Sequence, residues 1–166
     1  ARRFAALMQT SAKAISVMGN LKFDVTPPEG EADRGRYLRG LLGINRPVFL
    51  AASTRDGEEQ IILDAISASQ VSNLLTIIVP RHPQRFDAVA KLLEARGLAY
   101  CRRSEFAMGN VASEIPNCQV ILGDSMGEMF TYYAACDVAF IGGSLMPLGG
   151  QNLIEACAMG KPVLIG

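Results

Sequence analysis

The sequence predicts an α/β fold, a Rossmann-like doubly wound parallel sheet, and three observations carry that prediction. Short apolar runs alternate with segments of helical periodicity. The runs are apolar on both faces, as strands covered by helices on either side must be. Each glycine- or arginine-rich turn falls at the carboxyl end of a run, the edge where open α/β sheets bind ligands. At 166 residues the chain is long enough for one domain around one core. Its 49% hydrophobic and 19% charged content excludes a disordered chain.

The elements follow in order. Arg3–Met8 reads as the end of a helix and Ala14–Met18 as a short strand, before a turn or linker through Gly19–Asp24 and Pro27-Pro28. Glu31–Leu42 carries Arg and Leu at helical spacing. Pro47–Ala52 is a compact strand that runs into Ser53-Thr54-Arg55-Asp56-Gly57. Glu58–Ala68 is a helix with Ile61, Ile62, Ala65 and Ile66 on one face. Leu74–Val79 is a continuous apolar strand closed by Pro80, and Phe86–Arg96 is a helix ended by Gly97. Leu98–Arg102 and Val120–Leu122 are short strands joined by a polar connection from Ser104 to Asn117. A helix over Gly127–Cys136, a strand over Val138–Ile141, a helix over Asn152–Met159 and a strand over Pro162–Ile165 complete the pattern. Right-handed crossovers then wind the sheet on both sides.

Charge and cysteine usage narrow the function. Lys+Arg and Asp+Glu both number 16, so no field attracts nucleic acid or a membrane surface. Twelve of the cations are Arg, the better residue for bidentate recognition of phosphate or carboxylate. Cys101, Cys118, Cys136 and Cys157 lack CxxC spacing and read as buried free thiols of a reducing compartment. A single histidine, His82, leaves no His-rich metal site, and no metal or cofactor is expected. No apolar run approaches the ~20 residues of a membrane-spanning helix, so the chain by itself reads as soluble and cytoplasmic. It begins at Ala1 and ends at Gly166 directly after a strand-like run, which reads as a piece of a longer protein.

Four turns carry the candidate chemistry. The strongest is Gly142-Gly143-Ser144-Leu145, followed by Gly149-Gly150-Gln151-Asn152-Leu153-Ile154-Glu155. Glycines let backbone approach a ligand closely, and a helix beginning near Gly150 aims free N–H groups at an anion. Glu155, about one turn inside that helix, suits ribose hydroxyls rather than a phosphate. The second turn is Gly123-Asp124-Ser125-Met126-Gly127-Glu128. Here Asp124 or Ser125 caps a helix, Glu128 closes a capping box on Ser125, or the backbone of Met126–Glu128 contacts a nucleotide; both roles can hold at once. The third, Pro80-Arg81-His82-Pro83-Gln84-Arg85, presents Arg81 to a phosphate or base carbonyl, with Arg85 salt-bridged or solvated and His82 hydrogen-bonded within the turn. The fourth, Ser53–Glu59, reads either as a capped helix start with acids in its first turn or, because Arg55 runs against that helix N-terminus, as a turn whose conflict an anionic ligand resolves. The chain has no GxxxxGK(S/T), no GxGxxG after the first strand and no GxSxG, which excludes a P-loop NTPase and counts against the usual dinucleotide fingerprint and serine hydrolases.

Together GNLKFD (19–24), STRDGEE (53–59), PRHPQRF (80–86), GDSMGEM (123–129) and GGSLMPLGGQNLIEA (142–156) resemble 3-deoxy-D-manno-octulosonic acid (Kdo) transferases, in order and at that family's spacing. The resemblance implies the C-terminal half, truncated, of a GT-B glycosyltransferase. Residues 1–20 become the end of the N-terminal domain or the interdomain linker, and 21–166 an incomplete nucleotide-sugar-binding domain. It implies a CMP site at Pro80, Arg81, Met126, Gly127, Glu128, Asn152, Leu153, Ile154 and Glu155. Lys22, Ser53, Arg55, Gly143, Ser144, Gly150 and Gln151 become further donor contacts, with Arg55 or Lys22 for the Kdo carboxylate. Gln151 stands where many members have His, and cannot carry an imidazole's charge. The implied donor is CMP-Kdo and the implied acceptor a lipid A precursor, at the cytoplasmic face of the bacterial inner membrane. The catalytic glutamate, acceptor site and membrane anchor belong to an N-terminal domain outside this chain, so no catalytic residue is expected within it. Two other readings stand beside this one: another GT-B enzyme, a UDP-sugar transferase or epimerase, and a non-catalytic Rossmann-like binding domain.

Overall fold

The computed structural model describes residues 2–9, 11, 15, 24–105 and 118–166. The elements are α1 (Arg2–Leu7), α2 (Glu31–Leu42), β1 (Val48–Thr54), α3 (Glu58–Ala68), β2 (Leu75–Pro80), α4 (Phe86–Ala95), β3 (Tyr100–Arg102), β4 (Val120–Leu122), α5 (Met129–Ala135), β5 (Val138–Ile141), α6 (Ile154–Ala158) and β6 (Val163–Leu164). Short 3-10 turns occupy Pro83–Arg85 and Arg103–Glu105. The six strands form one sheet in the order β3-β4-β2-β1-β5-β6, parallel at every pairing.

Consecutive residues of the central strands bury on opposite faces, which is why these strands read as unbroken apolar runs. Leu50, Ala52, Ile77, Val79 and Ile141 enter one core with Leu38 of α2 and Tyr132 and Tyr133 of α5. Ala51, Ile78 and Phe140 enter the other with Ile62 and Leu63 of α3 and Val89 and Leu93 of α4. All six residues of β2 are buried. Helix α2 lies so close on α5 that a Cβ at Gly35 would overlap Ala134. Beside that contact the buried Glu31 carboxylate accepts a hydrogen bond from Thr131 Oγ1 at 2.6 Å.

The predicted α/β sheet is therefore present, with differences at element ends. Helix α6 begins at Ile154, later than the expected Gly150 or Asn152, because the segment before it is spent closing a loop. Helix α5 begins at Met129, and Gly127 (φ 80°) lies in the left-handed turn ahead of it. Three cysteines are buried as expected, whereas Cys157 is exposed on α6. Apart from Ile15 and Asp24, the expected strand at 14–18 and turn at 19–24 lie outside the described residues, as do 106–117 of the polar connection.

Candidate functional site

The site begins with a reversal in the winding of the sheet. After β1 the chain turns onto α3, on the second core's face, and moves to β2. After β5 it turns toward α6, whose Ala156 packs in the first core, and moves the other way to β6. The carboxyl ends of the adjacent strands β1 and β5 thus open a crevice at a topological switch point. Three of the turns singled out by sequence meet there or one strand away, and the 123–128 turn ends β4 beyond β2.

At the end of β1 the register slips between Ala52 and Thr54, and Ser53 takes a left-handed φ of 56°. Such a bulge re-aims the chain at a sheet edge. It brings the Ser53 carbonyl against Gly142, where a Cβ would lie 2.6 Å from Ser53 C and 2.7 Å from Thr54 Cα. Only glycine fits at 142. The loop that follows closes on itself, with Gly150 N–H donating to Gly143 O at 2.8 Å and Gln151 N–H to Gly142 O at 2.9 Å. Ser144 Oγ donates to Ile141 O at 2.6 Å. The Gln151 side-chain amide lies over Gly143. A cavity of about 400 Å³ opens between Gly143, Ser144, Met146, Gly150, Gln151 and Leu153.

This geometry changes which backbone groups can meet an anion. The N–H groups of Gly143 and Leu145 are engaged by the Glu58 carboxylate, and those of Gly150 and Gln151 by the loop's own carbonyls. The Ile154 N–H is engaged by Asn152 Oδ1 at 3.0 Å. The N–H groups of Asn152 and Leu153 bond nothing among the described residues, and they lead into a helix of only five residues. The expected cradle is therefore narrower than the glycine pattern suggests.

Arg81 lies exposed at the end of β2, its N–H bonded to Thr54 O at 3.0 Å. Glu155 is half-buried on α6. Burial pushes its carboxyl above the ordinary value, and the nearby Arg81 guanidinium opposes the rise. Arg55 reaches His82 Nε2 at 3.5 Å, so the His82 ring meets the neighbouring turn, while its carbonyl accepts from Arg85 N–H at 3.0 Å within its own. Arg85 is salt-bridged as expected, to Asp56 and, at 2.8 Å, to the buried Glu59. Glu59 also accepts from Thr54 Oγ1 at 2.8 Å.

The 123–128 turn departs from the capping prediction. No side chain caps α5: Ser125 Oγ bonds the Glu128 carboxylate itself and the Tyr132 hydroxyl, the latter at 2.7 Å. Glu128 pairs with the buried Arg103 at 2.7 Å. Asp124 accepts from Ser104 N–H at 2.9 Å and Ser104 Oγ at 2.7 Å, and so ties the turn to the end of β3. Met126 and Gly127 project outward from this scaffold, both exposed. Pro80 is buried as the last residue of β2. Leu153 is exposed and Ile154 half-buried. Lys22 lies outside the described residues.

Sequence reasoning missed Glu58 as a member of the site. It sits in a run of acids that a helix N-terminus welcomes, and no periodicity reveals that it is fully buried and turned toward another loop. Arg103 was missed likewise, since its partner Glu128 is 25 residues away. Among the described residues no His, Cys, Asp and Glu cluster could hold a metal ion, and no helix is long and apolar enough to cross a membrane.

No protein-family model matches the chain. It is 49% identical over 167 residues to the 3-deoxy-D-manno-octulosonic acid transferase of Bordetella pertussis, covering 98% of this chain and 38% of that protein. It is 41% identical to the transferase of the same name from Haemophilus influenzae, covering 99% of this chain and again 38% of the relative. The chain thus spans well under half the length of these relatives. Among solved structures it resembles the C-terminal CMP-Kdo binding domain of WaaA from Acinetobacter baumannii, with a TM-score of 0.70 and 37% identity. That match covers 81% of this chain and 69% of the solved one.

Proposed function

The chain belongs to the 3-deoxy-D-manno-octulosonic acid transferase family, and from that premise we propose that it is the domain that holds CMP-Kdo for transfer of Kdo to a lipid A precursor. The observation that carries this reading is the likeness, at a TM-score of 0.70 and 37% identity, to a solved CMP-Kdo binding domain. In this reading residues 21–166 form the donor domain of a GT-B enzyme and 1–20 the end of its partner domain or the linker. The acceptor, the catalytic base and attachment to the cytoplasmic face of the inner membrane belong to the remainder of the full-length protein.

Each part of the donor then has a fitting group. The Glu155 carboxylate accepts hydrogen bonds from the ribose hydroxyls. The phosphate meets Arg81 and the N–H groups of Asn152 and Leu153, which stabilise the charge that grows on CMP as it leaves. The turn at Met126, Gly127 and Glu128, held by Arg103, faces the base. Gly143, Ser144, Gly150 and Gln151 line the cavity assigned to the sugar, and Ser53, packed on Gly142, is a further candidate contact. Arg55, the cation of the neighbouring turn, and Lys22 are candidates for the Kdo carboxylate. No metal takes part in this scheme.

Calorimetry on the full-length enzyme with CMP, UMP and GMP tests the reading. Tightest binding of CMP is expected, lost on Arg81→Ala. Equal affinity for the three nucleotides, or tighter binding of UMP, refutes it.

A further inference from the structure

We infer that Glu58 is a positioning residue for donor binding: its buried carboxylate clamps the loop after β5 to the turn after β1. The inference rests on the donor-binding reading above and adds to it a residue that touches no part of the donor. Glu58 is fully buried. Its Oε2 accepts hydrogen bonds from Gly143 N–H at 2.7 Å and Arg55 N–H at 2.8 Å, and its Oε1 accepts from Leu145 N–H at 3.0 Å. A carboxylate is costly to bury without such partners, and bonds to a charged acceptor are about twice as strong as neutral ones.

Two further contacts fix the same register independently. Gly142 packs on the Ser53 bulge, and a Cβ at Gly57 would come within 2.8 Å of Met146 Cε. Backbone, side chain and ion thus join residues 53–58 to residues 142–146. Both segments border the crevice, one through Arg55 and the other through the Gly143–Gly150 cavity. Glu58 engages the N–H groups of Gly143 and Leu145 in the glycine-rich loop, so its part is to hold the loop's shape. Donor affinity then depends on Glu58 at second hand.

The test uses full-length enzyme carrying Glu58→Gln, with Glu58→Asp as a variant that keeps the charge but falls one methylene short. Both are expected to raise KM for CMP-Kdo and Kd for CMP about tenfold while kcat stays within about twofold. Hydrogen exchange in the peptide spanning 142–148 is expected to quicken about tenfold. Val89→Ala, in the core under α4, lowers the melting temperature without changing either readout. Unaltered exchange in 142–148, or equal loss of CMP affinity in Val89→Ala, overturns the clamp. Failure of the wild-type enzyme to bind CMP removes the donor reading itself, whereas normal CMP binding by both Glu58 variants removes only this inference.

Discussion

Replacing Gly142 with Ala adds one methyl group at the most crowded backbone crossing of the site. An ideal Cβ there would stand 2.6 Å from Ser53 C and 2.7 Å from Thr54 Cα, and nearer still to the Ser53 carbonyl oxygen. These are main-chain atoms, so no rotamer change relieves the overlap, and Ser53 is already held at a left-handed φ of 56°. The strands must part, although Gly142 N–H bonds Ala52 O at 2.8 Å across the same gap. Overpacking of this kind costs about 1–3 kcal/mol in cores that can adjust, and the upper end applies where backbone meets backbone. At roughly 2–4 °C per kcal/mol for a domain of this size, the melting temperature falls by about 6–12 °C. Gly40→Ala is the same chemical change where nothing lies within 4 Å, inside α2. It should stabilise by about 0.5–1 kcal/mol through helix propensity alone. Thermal denaturation of the two variants beside wild type reads the contrast. A Gly142→Ala protein that melts within about 2 °C of wild type would refute the close approach of the chain ends leaving β1 and β5 on which the site is built.

Glu155→Gln should raise the melting temperature of the unliganded protein at pH 7 while weakening CMP. Burial raises the Glu155 pKa, so the protonated form is favoured on folding; this contribution is complete below the unfolded value of about 4.3 and is lost as pH rises through the folded pKa. The two proteins should therefore converge in stability below about pH 4, and parallel melting curves at all pH values would count against the assignment. Arg85→Ala leaves the buried Glu59 carboxylate without its cation and should cost about 3 kcal/mol by urea denaturation. Restoring much of that loss with Glu59→Gln in the same chain would confirm an uncompensated charge as the cause. Lys161→Met removes donors to Ala134 O at 3.2 Å, in the last turn of α5, and to Cys136 O at 2.8 Å just beyond it. It should cost about 1 kcal/mol with no change in CMP affinity.

What could be read from residues alone was whatever depends on local pattern. Unbroken apolar runs such as LTIIV, each followed by a turn and a helical period, determined a parallel sheet with both faces covered and a ligand edge at the strands' carboxyl ends. Motif order and spacing were sufficient to indicate the family. Element ends were less legible, as at α6, because hydrogen bonds from Gly150 N–H to Gly143 O and from Gln151 N–H to Gly142 O hold the start of the expected helix in the loop. The arrangement of the site belonged to tertiary structure alone. Glu58 reads as an ordinary helix-start acid and Glu128 as half of a capping box, yet one binds backbone 85 residues away and the other an arginine 25 residues away. A side chain's partners across a sheet are set by strand order and register. In this chain those place β1 beside β5, so the glycine loop is shaped by a buried carboxylate that no local signal distinguishes from its neighbours.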